Sequence, residues 1–374
     1  MLKPDYKNNC ITKTFEESEK LLKTHNKVVL IVVDAMGYYN LVKIAKNEKI
    51  FKKFLSKFQK KIATSVFPTT TTAGISSIYS GQTPSEHSLY EWLIYSRELN
   101  MRFYPLMFVH KDGCDEETFK KTASKKLLEM AVPFKKLSDN KIKTYEIIPK
   151  KILESKMNSG FQKKIGYSNI VDAFIKLKTV INKSKGKSFF YFYLPHYDSD
   201  GHDFGPYAEE SREMLRAIVY MIDKEILSDK KIKVILTADH GMAEVKNEIH
   251  LETKKWFWKK VWPNLARQKR KRILPVGSAR DLFLHVKPEK LDAVLKVLNK
   301  KLDKYAKMYR VDDLIKRGFF GTENPSKRFL DNIGNVLILP KKNVAVSFFN
   351  KHNFLGMHGG LSKDELYVPF FISK

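Results

Sequence analysis

The sequence predicts an α/β fold with a mainly parallel central sheet and helices on both faces of that sheet. Continuous runs of apolar, β-branched and aromatic residues at Lys27–Val33, Ser188–Leu194 and 231–236 have the composition of strands buried on both faces. Segments with the 3.6-residue period of an amphipathic helix lie between these runs, at 170–181 and 207–227. Alternating strands and helices favour a parallel sheet joined by crossover connections.

A small α+β subdomain is predicted as an insertion near the C-terminal end. The patterns indicate short strands at 282–286 and 335–339, with an amphipathic helix at 288–305 between them. Residues 344–349 are expected to return to the main sheet. The predicted division is a main domain at 1–250 and 345–374, an inserted subdomain at 275–344, and a basic aromatic connector at 251–274.

The composition is that of a globular protein and excludes overall disorder. Of the 374 residues, 43% are hydrophobic and 29% are charged. No run of about 18 apolar residues occurs, so no transmembrane helix is predicted. The polar N-terminal segment lacks the apolar core of a signal peptide. Because Cys10 and Cys114 are too few for a disulfide framework, we expect a reducing, cytoplasmic setting.

The formal net charge is +28, which would attract anionic partners. A general lysine bias is one explanation. The strongest local contribution is residues 254–272, KKWFWKKVWPNLARQKRKR, which contain no acidic residue. Such a mixture can stack on bases and follow phosphates, or lie on an anionic membrane surface. The simpler interpretation, which we favour, is a segment whose aromatic side chains pack on the core.

Three carboxylates follow the three predicted strands. Asp34 comes directly after the first strand, Asp198 comes a short turn after the second, and Asp239 follows the third with His240 beside it. Ligands of open α/β sheets bind beyond the carboxyl ends of the strands. A turn or a helix cap explains one such Asp, but three at equivalent positions predict a shared site.

Two more histidines extend the set of candidate metal ligands. His202 is four residues after Asp198, and Gly201 would permit a tight backbone that turns both side chains toward one metal. His358 has glycines nearby on both sides, in the segment 356–360. A lone histidine is usually a surface or core residue, but Asp together with neutral His suits Zn²⁺ or Mn²⁺.

A run of threonines supplies the candidate nucleophile. Thr69 to Thr72 precede a predicted helix of small residues that runs to about Ser80. The N-terminus of a helix offers free N–H groups and a positive dipole end, which favour a phosphoryl oxygen. A metal bound to a Thr hydroxyl would lower the pKa of that hydroxyl. The alternative is a threonine that only caps the helix.

The motifs of this chain, and their order, resemble those of the alkaline phosphatase superfamily. Within that superfamily they resemble the type I phosphodiesterase/nucleotide pyrophosphatase family. Each motif alone is a weak or moderate signal, but six in the family's order over nearly the whole chain are a specific one. The matching segments are Val33-Asp34-Ala-Met-Gly37, Phe67-Pro-Thr-Thr-Thr71, Ser80-Gly-Gln-Thr-Pro-Ser-Glu-His87, Asp198-Ser-Asp-Gly-His202, Thr237-Ala-Asp-His-Gly241 and Gly356-Met-His358.

The resemblance implies an alkaline phosphatase-like fold and two divalent metal ions, Zn²⁺ or alternatively Mn²⁺. It implies a hydrolase that cleaves phosphate diesters or pyrophosphates, of small phosphate esters or nucleotides, through a phospho-threonine intermediate. Thr71 would be the nucleophile, with Thr70 and Thr72 as one-residue alternatives, and His87 would be structural. The implied ligands are Asp34, Thr71, Asp239 and His240 for one metal, and Asp198, His202 and His358 for the other.

Two departures from the family pattern leave the substrate open. Thr71 is followed by Thr-Ala-Gly-Ile75 where relatives commonly have Phe-Pro-Asn-His. Relatives also often carry an Asn about twenty residues after the nucleophile, where this chain has Glu91-Trp92. Both departures suggest a prokaryotic-type branch of the family.

The alternatives on the same scaffold are a phosphomonoesterase and a phosphonate hydrolase. A sulfatase is less favoured because it needs a Cys or Ser converted to formylglycine. A cofactor-independent mutase is less favoured because it usually uses serine and carries a large inserted domain. From another class, a basic nucleic-acid-binding or membrane-surface protein stays open. The oligomeric state is not predicted.

Overall fold

The computed structural model describes residues 1–46, 48–111, 127, 130–153, 159–321, 324–348 and 353–374. Cys114 lies outside these described residues. The strands are β1 (Lys27–Val33), β2 (Phe58–Thr64), β3 (Ile94–Ser96), β4 (Met101–Tyr104), β5 (Val109–His110), β6 (Lys143–Pro149), β7 (Lys163–Tyr167), β8 (Ser188–Leu194), β9 (Ile232–Thr237), β10 (Ala243–Glu244), β11 (Asn247–His250), β12 (Arg267–Gln268), β13 (Lys271–Arg272), β14 (Val276–Ser278), β15 (Asp281–Leu284), β16 (Ala306–Arg310), β17 (Val336–Pro340), β18 (Val344–Ser347), β19 (Gly356–Met357) and β20 (Tyr367–Ser373).

Seven strands form a central sheet in the order β2-β20-β9-β1-β8-β6-β7. Strands β1, β6, β7, β8 and β9 are parallel, and β20 runs antiparallel to both of its neighbours. This arrangement confirms the predicted mainly parallel sheet. The register places Val33 opposite Leu194 and Val32 opposite Thr237. The carboxyl ends of β1, β8 and β9 therefore meet at one edge of the sheet.

The centre of the sheet is covered on both faces. Every residue from Val28 to Val33 and from Phe189 to Leu194 is buried. Since successive side chains of a strand point to opposite faces, this burial needs a layer of packing on each side. The α-helices are Thr14–Thr24, Tyr38–Ala45, Lys49–Ser56, Thr71–Ser80, Pro84–His87, Phe134–Asp139, Lys150–Leu153, Ile170–Lys183, His196–Phe204, Glu209–Glu225, Leu291–Leu302, Val311–Lys316, Lys327–Asn332 and Lys363–Leu366.

These helices begin and end close to the predicted positions where the apolar period is strong. Residues 170–181 and 207–227 become Ile170–Lys183 and Glu209–Glu225. In the second helix, Leu215, Ile218 and Ile222 form the buried stripe. Within the described ranges, no helix is both long enough and apolar enough to cross a membrane.

A four-stranded antiparallel sheet in the order β14-β15-β17-β16 forms between residues 276 and 340. The helix Leu291–Leu302 follows a 3₁₀ turn at Pro288–Lys290 and places Val294, Leu298 and Leu302 in a second hydrophobic cluster. Phe257, Val261 and Leu265 from the basic aromatic segment are buried in the same cluster. The core of this sheet therefore also holds part of residues 251–274.

The prediction that residues 344–349 return to the main sheet is wrong. Val344–Ser347 forms β18, which pairs in parallel with β11 and lies outside the seven-stranded sheet. Val344 and Val346 point into the second hydrophobic cluster, where their burial stabilises this position. Phe349 lies outside the described residues. The strand that completes the main sheet is β20.

Candidate active site

Four of the predicted site residues meet where β1 and β9 end. Asp34 follows β1, and Asp239 and His240 follow β9 after one residue. His240 Nε2 lies 3.3 Å from Asp34 Oδ1 and 3.5 Å from Asp239 Oδ2. Thr71 Oγ1 lies 3.1 Å from the same nitrogen. These side chains, which the family resemblance assigns to one metal, form one compact group.

Asp198, His202 and His358 form a second group. Asp198 Oδ2 lies 3.4 Å from His202 Nε2, and Asp198 Oδ1 lies 3.7 Å from His358 Nε2. The segment after β8 is the helix His196–Phe204 rather than the expected tight turn. A spacing of four residues in a helix brings Asp198 and His202 to the same face. Gly201 instead lies against the Met242 side chain, which would have to shift to accommodate a Cβ, since that atom would lie 2.5 Å from Met242 Sδ.

The two groups are parts of one site. The rings of His240 and His358 stack at a centroid distance of 3.8 Å and an interplanar angle of 21°. Asp34, Asp198 and His240 each have a potential ligand atom, and these three atoms lie within 4.8 Å of one another. The same holds for Asp198, His202 and His358. The structure thus brings together all seven residues that the sequence selected, with Asp198 between the two groups.

Thr71 begins the helix Thr71–Ser80, and every residue of that helix is buried. The helix approaches the end of β9 closely, because a Cβ on Gly74 would lie 2.8 Å from the backbone oxygen of Asp239. Thr70 and Thr72 are also buried, but their hydroxyls have no hydrogen-bond partner among the described residues. Within the part of the chain that the structure describes, Thr71 is thus the one threonine of this run whose hydroxyl lies within hydrogen-bonding distance of the Asp and His side chains. His87 lies deeper and contacts Ser77 Oγ and the backbone N–H of Leu89.

The histidine rings are oriented as metal ligands require. The Nδ1 atoms of His202, His240 and His358 lie 2.8, 3.0 and 3.1 Å from the carbonyl oxygens of Gly356, Gly241 and Thr69. A carbonyl only accepts a hydrogen bond, so each Nδ1 carries the hydrogen. Each Nε2 then presents a lone pair toward the carboxylates, which is the arrangement of a ligating imidazole.

The carboxylates also fit divalent cations. Asp34 Oδ1, Asp198 Oδ1 and Asp239 Oδ2 are buried and have no hydrogen-bond partner among the described residues. Burial, followed by repulsion between the carboxylates, raises the pKa of Asp34 well above its usual value. Burial also raises the pKa of Asp239, with repulsion from Asp198 adding to it. Unsatisfied acidic oxygens in a dry site are stabilised by bound cations, so the donor set suits metal binding.

Tyr193 is a contact of the site that the sequence did not reveal. The phenol lies on β8, is buried, and donates a hydrogen bond to Asp34 Oδ2. In the sequence it is one of several aromatic residues in a strand, and no local pattern separates it from Tyr191. The bond fixes one oxygen of Asp34 and leaves Oδ1 directed at His240.

We expect Tyr193→Phe to weaken metal binding about 10- to 100-fold, because ligands without their outer hydrogen bonds lose orientation. Competition with a chromogenic chelator measures this. Tyr191→Phe is the matched control, since the Tyr191 hydroxyl is buried without a hydrogen-bond partner among the described residues. Equal metal affinity in the two variants would contradict the role of Tyr193.

A buried pair of carboxyl groups borders the site. Glu91 and Asp281 are fully buried and close enough to influence each other's ionisation. Ser278 connects the pair to the site, because its hydroxyl contacts Asp281 Oδ1 and lies 3.0 Å from the carbonyl oxygen of His358. Burial raises the pKa of Glu91 to about 8, so this group keeps its proton at neutral pH.

We expect the stability of the protein to fall as pH rises because of Glu91. The unfolded chain releases this proton near the ordinary pKa of 4.5, whereas the folded chain holds it until about 8. Between these values the free energy of unfolding falls by about 1.4 kcal/mol per pH unit from this group, and it levels off above them. Urea denaturation from pH 5 to 8 should show a shallower decline in Glu91→Gln, which cannot ionise. Parallel pH profiles for the two proteins would refute this.

A buried ion pair holds the loop that carries His358. Arg280 Nε and Nη2 lie 3.0 and 2.8 Å from the two carboxylate oxygens of Glu365, and both side chains are buried. Glu365 also accepts a hydrogen bond from the backbone N–H of Gly360, two residues after His358. Arg280 Nη1 donates to the carbonyl oxygens of Lys341 and Val344. The pair therefore joins the four-stranded sheet to the loop of His358.

Comparison with known proteins identifies the family. A family model described as type I phosphodiesterase / nucleotide pyrophosphatase matches residues 28–361. No curated protein matches the sequence significantly.

Similar solved structures include murine ectonucleotide pyrophosphatase/phosphodiesterase 5, with a TM-score of 0.68 and 15% identity over 93% of this chain and 88% of that one. The human counterpart has the same TM-score and 16% identity over 92% and 87% of the two chains. Phosphonoacetate hydrolase from Sinorhizobium meliloti 1021 has a TM-score of 0.66 and 15% identity over 92% and 89%. Since the family model covers nearly the whole chain, this protein belongs to the type I phosphodiesterase/nucleotide pyrophosphatase family.

Proposed function

We propose that this protein is a metal-dependent hydrolase of phosphate diesters or pyrophosphates that uses Thr71 as its nucleophile. The observation that carries the proposal is the position of the Thr71 hydroxyl, 3.1 Å from His240 Nε2 and at the first residue of a buried helix. A nucleophilic hydroxyl needs a neighbouring group or metal that removes its proton. Thr71 is the only threonine of its run whose hydroxyl contacts such groups among the described residues.

Two divalent cations fit the donor groups described above. One cation would be held by Asp34, Thr71, Asp239 and His240. The second would be held by Asp198, His202 and His358. These cations would supply Lewis-acid charge that stabilises the threonine alkoxide and the phosphoryl oxygens. The oxygen and imidazole donors support Zn²⁺, with Mn²⁺ as the alternative.

The residues of this chain position the reacting groups. The N-terminal N–H groups of the helix Thr71–Ser80 favour a phosphoryl oxygen beside Thr71. Thr71 Oγ1 releases its proton to solvent and forms a bond to phosphorus while the bond from phosphorus to the leaving oxygen breaks. The leaving oxygen takes the electron pair and gains a proton from solvent. Water then attacks the phospho-threonine, which restores the hydroxyl and releases the second product.

The substrate class is supported by relatives and is open at the finer level. One solved structure of murine ectonucleotide pyrophosphatase/phosphodiesterase 5, described as inactive, holds AMP. The phosphonoacetate hydrolase structure holds phosphonoformate. We propose a nucleotide or small phosphate diester for this chain, with a phosphomonoester or phosphonate as the alternatives. The buried free thiol of Cys10 supports a cytoplasmic location.

A panel of chromogenic substrates tests this function. We expect the Zn²⁺- or Mn²⁺-loaded protein to hydrolyse a nitrophenyl diester of a nucleotide faster than nitrophenyl phosphate, and to release no phosphate from phosphonoacetate. Elemental analysis should find two metal ions per chain, and chelation should abolish activity that the added metal restores. Faster turnover of the monoester or of phosphonoacetate would replace the proposed substrate class, and activity that survives chelation would exclude the metal-dependent reaction.

A further inference from the structure

The basic segment, residues 254–272, carries positive charge that the protein does not neutralise. None of its cations forms an ion pair with a residue that the structure describes. Elsewhere, lysines such as Lys57, Lys164 and Lys178 pair with acidic side chains. The unpaired cations are Lys254, Lys255, Lys259, Lys260, Arg267, Lys269, Arg270, Lys271 and Arg272.

The end of the basic segment is a strained cationic hairpin. Strands β12 and β13 pair with Gln268 opposite Lys271, so Lys269 and Arg270 form a two-residue turn. Both turn residues have positive φ, 44° and 68°. Turns of this kind favour Asn and Gly, because other side chains rarely adopt this conformation. Here two exposed, like-charged side chains occupy it, which places both charges at the tip of the turn.

The hairpin is held firmly at its base. Gln268 Nε2 donates to the carbonyl oxygen of Arg97 at 2.6 Å, and Gln268 Oε1 accepts from the Tyr95 hydroxyl at 2.7 Å. The Arg272 guanidinium lies 5.4 Å from the ring centroid of Trp262. The charges at the tip are therefore presented by a fixed β-ribbon.

Arg97 connects the hairpin to a neighbouring surface cavity. Arg97, whose carbonyl oxygen binds Gln268, lines a surface cavity of about 610 Å³ together with Lys327 and Arg328. Lys327 pairs with Asp331 at 2.6 Å, whereas the side chain of Arg97 is exposed without an ion pair to a described residue. Glu98 and Asp331 also line this cavity, so its positive contribution beside the hairpin comes mainly from the Arg97 side chain.

The chemistry of this surface fits phosphates better than lipid. Binding within a membrane interface requires apolar side chains that project from the surface. No large, strongly exposed hydrophobic side chain occurs in the basic segment, all of which the structure describes. Its indoles pack inward, with the rings of Trp258 and Trp262 at 4.6 Å and those of Trp262 and Phe348 at 6.1 Å. Nucleic acid backbones need only well-placed cations.

We propose that the basic segment docks the phosphate backbone of nucleic acid through the Arg267–Arg272 hairpin, without reading its sequence. The contacts that hold the hairpin, with Tyr95, Arg97 and Trp262, include none of the residues of the Thr71 centre, so the binding can be tested without hydrolysis. Each phosphate contact releases counterions, so the affinity falls with salt in proportion to the number of contacts.

Fluorescence anisotropy of a labelled oligodeoxythymidylate tests the proposal in a Thr71→Ala background, which prevents hydrolysis. The test variant is Lys269→Asn/Arg270→Gly/Lys271→Gln, which removes three charges and installs the residues that this turn favours. The matched control is Lys52→Gln/Lys53→Gln/Lys60→Gln, which removes three exposed charges from the helix Lys49–Ser56 and from β2. Circular dichroism verifies the fold of both proteins.

We expect the parent and the control to bind with the same steep salt dependence. The hairpin variant should bind more weakly, with a slope of log affinity against log salt that is shallower by about 2. Three outcomes would overturn the proposal: no binding by the parent at low salt, equal slopes for the hairpin variant and the control, or binding to anionic phosphatidylserine vesicles without binding to the oligonucleotide.

Discussion

Thr71→Ala should abolish turnover of the nitrophenyl diester, with a loss on the order of 10⁴-fold or more, as for removal of other covalent nucleophiles. The methyl group that remains cannot form the bond to phosphorus. The fold should persist, because Thr71 is at the first turn of its helix and its hydroxyl has no hydrogen bond to a described residue other than His240. Steady-state rates at saturating metal, together with circular dichroism, measure both effects.

Thr72→Ala is the matched control for this substitution. Thr72 is the next residue of the same helix, is fully buried, and has a hydroxyl without a hydrogen-bond partner among the described residues. We expect it to retain most of the activity. If Thr71→Ala hydrolyses the diester as the wild type does, Thr71 is not the nucleophile, and loss of activity only in the Thr72 variant would transfer the role to Thr72.

Arg280→Met should lower the free energy of unfolding by about 3–5 kcal/mol, the usual effect of removing one partner of a buried ion pair. The substitution leaves the Glu365 carboxylate buried without its counter-charge and removes the donors to two backbone carbonyls. Metal affinity should fall too, because Glu365 binds the backbone beside His358. Urea denaturation and metal titration measure these effects.

Arg216→Met applies the same chemical change where water can compensate. Arg216 pairs with Glu48 and Glu213, but its side chain is 35% exposed. Exposed ion pairs contribute about 0–1 kcal/mol, so this variant should unfold close to the wild type. Equal losses of stability in the two arginine variants would show that burial of the Arg280 pair has no special effect.

The sequence predicted that Asp34, Asp198 and Asp239 lie at one edge of the sheet because they follow strands with a strong apolar signal. A continuous buried run fixes where each strand ends, and parallel pairing brings those ends to one edge. Asp34 and Asp239 could therefore be placed from pattern alone. Asp198 and His202 were paired correctly in space, although the expected tight turn is a helix. Spacing by four residues satisfies either conformation, so it could not distinguish them.

Other features depend on contacts between distant segments and leave no local signal. Tyr193 contacts Asp34 across neighbouring strands, and Glu91 meets Asp281 from nearly two hundred residues away along the chain. Residues 344–347 have the composition of a strand, but composition does not specify the partner strand. The burial of Val344 and Val346 in the second hydrophobic cluster favours the pairing of β18 with β11.

The three imidazoles of the site take their orientation from main-chain carbonyls. Many metal centres instead use an outer Asp or Glu for this purpose, and such an acid can be lost by a single mutation. Here a single side-chain substitution does not remove the acceptor, because each acceptor is a backbone carbonyl oxygen. Replacing Asp34 or Asp198 with a softer or neutral donor should therefore change which metal ion the candidate site prefers. The orientation of the three imidazole rings should stay the same.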